Sequence, residues 1–177
     1  MTTLKFRSYG SCSSTTIGDI TGSSSLRAVI IAHVLKTTLF SFPDDDVYVI
    51  LTGEAGLHLD HRSNLANDIA IFDQATLPSS KISRKYAGVP PRIAIEADIS
   101  ADAEGSSESG YIYKKTRKLI DFGVQKVIWA LTEAPVVMIA TADRTEAFDW
   151  NHDIELLDGH AFNIGAYLTR KGIDAAS

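Results

Sequence analysis

The chemistry this sequence could perform rests on three acids and a lysine: Asp68 in NDIAIF, Glu96 and Asp98 in RIAIEADIS, and Lys115 in YIYKKTRKL. Carboxylates at the ends of apolar strands offer hard oxygen ligands to a divalent metal such as Mg²⁺ or Mn²⁺. A lysine within reach can then stabilise a phosphodiester under attack. Asp68, Glu96 and Asp98 are the candidate metal ligands, and the same three with Lys115 are the candidate catalytic set. Two neighbouring buried carboxylates repel, so without metal at least one of them is expected to have a raised pKa.

The elements around these residues must bring them together. RIAIEAD is a short apolar run that predicts a strand; its alternation puts Ile93 and Ile95 on one face and Ala94, Glu96 and Asp98 on the other. NDIAIF alternates little, as expected of a strand covered on both faces. A helix is predicted over 111–122, where Ile112, Lys115, Leu119 and Phe122 fall on one stripe and Lys114, Lys118 and Asp121 on another. That phase points Lys115 toward the core, although a lysine on an apolar stripe can also snorkel to solvent. Gly123 stops the helix, and QKVIWAL follows as another buried strand.

The rest of the chain reads as scaffold. Residues 1–23 form a Ser-rich N-terminal segment before a single domain over 24–177. A helix begins near Leu26, with Leu26, Val29, Ile30, His33, Val34 and Thr37 on one face, and Pro43 with the acidic residues 44–46 ends it. VYVILT is a strand, and GLHLDHRSN is expected to be a connection from it to NDIAIF. ISADAEGSSESG reads as a loop beside the carboxylates, Ala134-Pro135 as a hairpin turn, 154–157 as a strand and 161–170 as a terminal helix or arm. This succession predicts an α/β or α+β fold, a central mixed sheet flanked by helices.

Composition narrows the function. At 177 residues and 45% apolar the chain can bury one sizeable core. Its net charge of −5 argues against nucleic acid, since phosphate binding normally leaves a basic footprint, but a carboxylate site is acidic by design. Lys114, Lys115, Arg117 and Lys118 do form a basic cluster, whose ordinary reading is a solvated helix face. One cysteine, Cys12, excludes an internal disulfide and a multi-thiolate zinc site, which suggests an intracellular, cytoplasmic protein. No run approaches the roughly 18 apolar residues of a membrane span. Neither GxSxG nor a Walker or GxGxxG loop is present, so a serine triad and nucleotide binding have no support.

The order NDIAIF, PPRIAIEADIS, KKTRKLIDFGVQKVIWAL resembles the Uma-two family, bacterial restriction-endonuclease-like proteins within the PD-(D/E)XK nuclease superfamily. Asn67-Asp68 takes the place of the family's Pro-Asp, Glu96 that of its glutamate, and Lys115 that of its helix lysine. Gly123, Val124 and Trp129 match its final signature. The resemblance spans about residues 24–165 and implies a restriction-endonuclease-like fold and a metal-dependent endonuclease acting on DNA as a homodimer. It also implies that the carbonyl after Glu96 could add a ligand, and that Asp98 joins the metal or positions Lys115.

This sequence departs from the superfamily pattern in two places. Asp98 stands where many such nucleases carry the lysine, which suggests that the positive charge has moved to Lys115. The N-terminal region looks shortened, so one metal-supporting acid could be missing; Glu54 is a possible substitute, with a surface-loop role the commoner expectation. The competing function class is a catalytically silent member of the fold, acting as a binding or assembly module in which Glu96, Asp98 and Lys115 form a buried ion cluster. Minor candidates are His58, Asp60 and His61, which lack a third convergent ligand. His33 reads as a core histidine, and Asp149, Trp150, His152 and Asp153 as a strand entry or an interface loop.

Overall fold

The computed structural model describes residues 24–43, 46–60, 63–98 and 108–175. The Ser-rich segment, Cys12, His61 and most of the polar loop after Ile99 lie outside them. Twelve elements follow in order, starting with helix α1 (Ser25–Ser41) and strands β1 (Tyr48–Asp60) and β2 (Ser63–Asp73). A short 3₁₀ turn (Ser79–Lys81) leads to β3 (Ile93–Asp98), α2 (Glu108–Phe122) and β4 (Lys126–Leu131). Then come β5 (Val136–Ala140), β6 (Thr145–Asp149), a small hairpin of β7 (Ile154–Glu155) and β8 (Ala161–Phe162), and α3 (Ile164–Lys171).

Six strands form one sheet in chain order, β1 to β6, and a second sheet holds only β7 and β8. Only β3 and β4 pair in parallel; the other neighbours are antiparallel, so the sheet is mixed as expected. The parallel pair needs a long crossover, and α2 supplies it. Each central strand is apolar along its length because both of its faces are covered. On one face Ile69, Ile71, Ile93, Ile95 and Ile128 pack with Ile30 and Val34 of α1 and Ile164 and Leu168 of α3. On the other, Leu57, Phe72, Ala94, Val127 and Trp129 pack with Ile112 and Leu119 of α2. The alternation read from RIAIEAD is therefore the one observed.

Helix α1 starts where Ser24 caps it, its side chain accepting the Arg27 N–H at 3.2 Å. It stops before Pro43, which can contribute no N–H to a further turn. Thr38 rather than Thr37 is fully buried, which its hydroxyl tolerates by donating to the Val34 carbonyl at 2.8 Å. Helix α2 ends on Gly123, whose φ of +113° and proximity to Pro90 leave little room for a side chain.

Three expectations change. GLHLD is not a connection: β1 runs through it and folds back on β2 as a long hairpin, with Leu57 and Leu65 paired toward the α2 core. An unanticipated edge strand, β6, ends at Asp149; residues 150–153 then lead into β7, the strand entry rather than the interface loop, with Trp150 buried in the core. His33 is half-buried, stacked on Tyr167 at 3.9 Å in a groove between α1 and α3, and its Nε2 has no hydrogen-bond partner. Burial lowers its pKa.

The 74–92 segment is fastened to the outer edge of β1. His58 N–H donates to the Ala87 carbonyl at 2.9 Å, and Ala87 N–H to Gly56 at 3.0 Å. The Tyr86 ring lies so close over Gly56 that a Cβ there would sit 2.3 Å from it. Among the described residues, no helix is long and apolar enough to cross a membrane.

Candidate active site

Both ladders of β2 are interrupted at Asp68. Toward β1, Thr52 faces Ile69 and Ala55 faces Asn67, so Gly53 and Glu54 together oppose Asp68 in a bulge. Gly53 takes a φ of +72° there, and Glu54 a φ of +61° that is uncommon for a residue with a side chain. Toward β3, regular pairing ends at Ile69 with Ile95. The Asp68 carboxylate fills the opening and accepts the Ala97 N–H at 2.8 Å. The Asp68 carbonyl, displaced by the bulge, accepts from Thr52 Oγ1 at 3.0 Å. Such a split turns side chains that would lie in a flat sheet toward a shared space.

That space is a cleft of about 360 Å³ whose lining includes Arg27, Glu54, Asn67, Asp68, Glu96, Asp98, Tyr111 and Lys115. All four residues singled out by type and spacing meet in it. So does Glu54, which sits in a strand bulge rather than a surface loop. His58 does not join them: it is hydrogen-bonded to Asn64 at 2.8 Å. Among the described residues no three of His, Cys, Asp or Glu, the carboxylates of the cleft included, already stand close enough together to share an ion.

Glu96 and Lys115 form a buried ion pair, with Nζ 2.8 Å from Oε1 and only 5% and 7% of the two residues exposed. The approach lies off a good hydrogen-bond direction, so charge rather than alignment holds it. The ammonium also stands 5.5 Å above the Trp129 ring and 5.9 Å from that of Tyr111, whose π-faces attract it. Trp129 is fixed in turn by donating Nε1–H to Thr116 Oγ1 at 2.9 Å. Lys115 thus points inward as the helical phase predicts, while Lys114 and Lys118 are exposed.

Burial drives the Glu96 pKa from 4.5 up to about 7, against the pull of Lys115. The expected raised carboxylate therefore exists, but desolvation is its main cause and repulsion by Asp68 a lesser one.

Arg27, in the first turn of α1, is the residue the sequence reading missed. Its Nη2 lies 3.2 Å from each Asp68 oxygen, and its Nε donates to the Ala97 carbonyl. A signal was present, because a cation in a first turn opposes the helix dipole and calls for a compensating partner.

Asn67, directly before Asp68, is 1% exposed, lines the cleft, and finds no partner for either its Oδ1 or its Nδ2. Orphaned buried amide atoms of this kind are rare and costly. In kind and charge the lining suits a hard divalent cation. Its donors are oxygens, with four carboxylates against two cations, and the orphaned Asn67 Oδ1 is one donor more.

No family model matches this chain, and no curated protein does. Among solved structures the fold recurs in a putative nuclease belonging to DUF820 from Anabaena variabilis ATCC 29413. The two superpose with a TM-score of 0.67 over 83% of this chain and 82% of that one. At 13% sequence identity, what they share is the fold.

Proposed function

We propose that this chain is a metal-dependent endonuclease of the Uma-two kind, within the PD-(D/E)XK superfamily, that hydrolyses phosphodiester bonds in DNA. The observation that carries the reading is the meeting of Asp68, Glu96, Asp98 and Lys115 in one cleft, from two strands and a crossover helix. Asp68, Glu96 and Asp98 would hold Mg²⁺ or Mn²⁺, which when bound lowers the pKa of a water and offsets charge on the phosphate.

The protein's own groups have definite tasks in this reading. Lys115, held by Glu96 and two aromatic faces, keeps a fixed positive charge where negative charge grows on the phosphoryl oxygens. Without metal, burial holds the Glu96 carboxyl up at about 7, so a bound cation would have to displace its proton at neutral pH before Glu96 serves as a ligand. Asp98, on the same strand face, adds charge at the mouth of the site. The resemblance extends the proposal to a cytoplasmic homodimer, which sedimentation of the purified protein tests; a monomer mass would refute that part.

Nicking of supercoiled plasmid with Mg²⁺ or Mn²⁺, lost in Glu96→Ala and in the equal-volume Glu96→Gln, is the expected result. No cleavage by the wild-type protein with either metal would sink the enzyme reading. A second reading, a silent binding or assembly module, draws on one observation: Arg27 already neutralises Asp68 and takes the Ala97 carbonyl. DNA binding without cleavage would favour it.

A further inference from the structure

We propose that Arg27 is an intramolecular cation holding the place of the divalent metal, so that metal entry and departure of its guanidinium are one event. This rests on the metal-binding part of the reading above. Three oxygens from two diverging strands, Asp68 Oδ1, Asp68 Oδ2 and Ala97 O, converge on this one side chain. A carboxylate and a carbonyl aimed at a single point form a cation site whichever cation fills it.

Two features show that the guanidinium is a poor final occupant. Arg27 sits in the first turn of α1, where the helix end is itself partly positive and the turn holds no acid of its own, so the cation depends on Asp68 of another element. In the lining of the same cleft, buried Asn67 keeps an unpartnered acceptor and an unpartnered donor. A planar group that only donates cannot satisfy both. A hydrated ion can, because Mg²⁺ and Mn²⁺ keep waters that donate to Oδ1 and accept from Nδ2.

Release of Arg27 is physically easy. Its charge cannot be titrated away, so the contact breaks only when another cation competes for the same oxygens. The side chain is long and the first turn of a helix opens at low cost, so Arg27 can swing out while α1 stays packed through Ile30 and Val34. The internal plug also keeps the carboxylates neutralised when metal is scarce.

The test is Mn²⁺ binding without DNA, followed by calorimetry and by loss of the free-ion EPR signal, on the full chain. Arg27→Met is expected to bind Mn²⁺ about tenfold to a hundredfold tighter than wild type, the strength of the charge-assisted contacts it removes. Asp68→Asn is expected to bind more weakly than both. Arg27→Lys, which keeps the charge but loses the planar fork, is expected in between, and it decides the matter if the methionine variant fails to fold in EDTA.

Equal or weaker binding by Arg27→Met and Arg27→Lys than by wild type, or no binding by any of the proteins, overturns the proposal. The nuclease reading fails separately. Tighter Mn²⁺ binding by Arg27→Met with no plasmid cleavage supports the plug and refutes the nuclease. Cleavage with unchanged metal affinity does the reverse.

Discussion

The buried Glu96–Lys115 pair predicts a pH dependence of stability whose sign runs against the usual one for a carboxylate. Glu96 titrates near 4.5 in the unfolded chain and near 7 in the fold. Between those values the native state binds the extra proton, so stability is expected to fall as pH rises through the window. A shift of that size corresponds to about 3 kcal/mol, present in full below pH 4.5 and lost above pH 7.

Glu96→Gln alone is a poor probe, because an unpaired buried Lys115 costs about 3–5 kcal/mol by itself. The informative variant is Glu96→Gln with Lys115→Met, which removes both charges at nearly constant volume. Urea unfolding of this variant and of wild type in EDTA, followed by fluorescence of buried Trp129 and Trp150, gives two curves of stability against pH. Their difference should change by about 3 kcal/mol between pH 4.5 and pH 7, with wild type losing ground as pH rises. His33, whose lowered pKa removes stability as pH falls, is present in both proteins and cancels. Parallel curves would refute the argument that burial outweighs the attraction of Lys115.

Other predictions follow from single contacts. Thr116→Val leaves the buried Trp129 N–H without its acceptor and should lower stability by about 1–3 kcal/mol, read as a fall in the urea midpoint; no change would show that Trp129 finds another partner. Gly56→Ala collides with the Tyr86 ring and should destabilise by about 1–3 kcal/mol, a loss that adding Tyr86→Ala reverses. If Gly56→Ala proves neutral, the ring is not fixed over the strand. Segment 74–92 carries Lys81, Arg84, Lys85 and Arg92 without one acid, and Arg84 and Lys85 line a pocket beside His58. For a protein that binds DNA, Arg84→Ala with Lys85→Ala should reduce the slope of log affinity against log salt by about two, as two phosphate contacts require, and an unchanged slope would place the DNA elsewhere.

Patterns set by local chemistry were readable in one dimension. Period-2 alternation put Glu96 and Asp98 on one face, and the 3.6-residue period separated Lys115 from Lys114 and Lys118, because each depends only on residues a few positions apart. Gly123 and Pro43 marked the ends of helices for the same local reason. The mixed sheet followed from the order of these elements. GLHLD misled because its Gly and His look like a loop, whereas pairing with residues 63–67 makes it a strand, and pairing is not a local property.

The sequence by itself therefore determined which residues share a face and which helix and strands carry the acids and the lysine. Only the tertiary structure decided what those faces meet. It set Arg27, 41 residues from Asp68, on the same carboxylate, and opened both ladders of β2 at that one residue. It also aimed Glu54 into the cleft and buried Glu96 enough to lift its pKa to about 7. Each of these depends on distance and dielectric in three dimensions, which no spacing along the chain encodes.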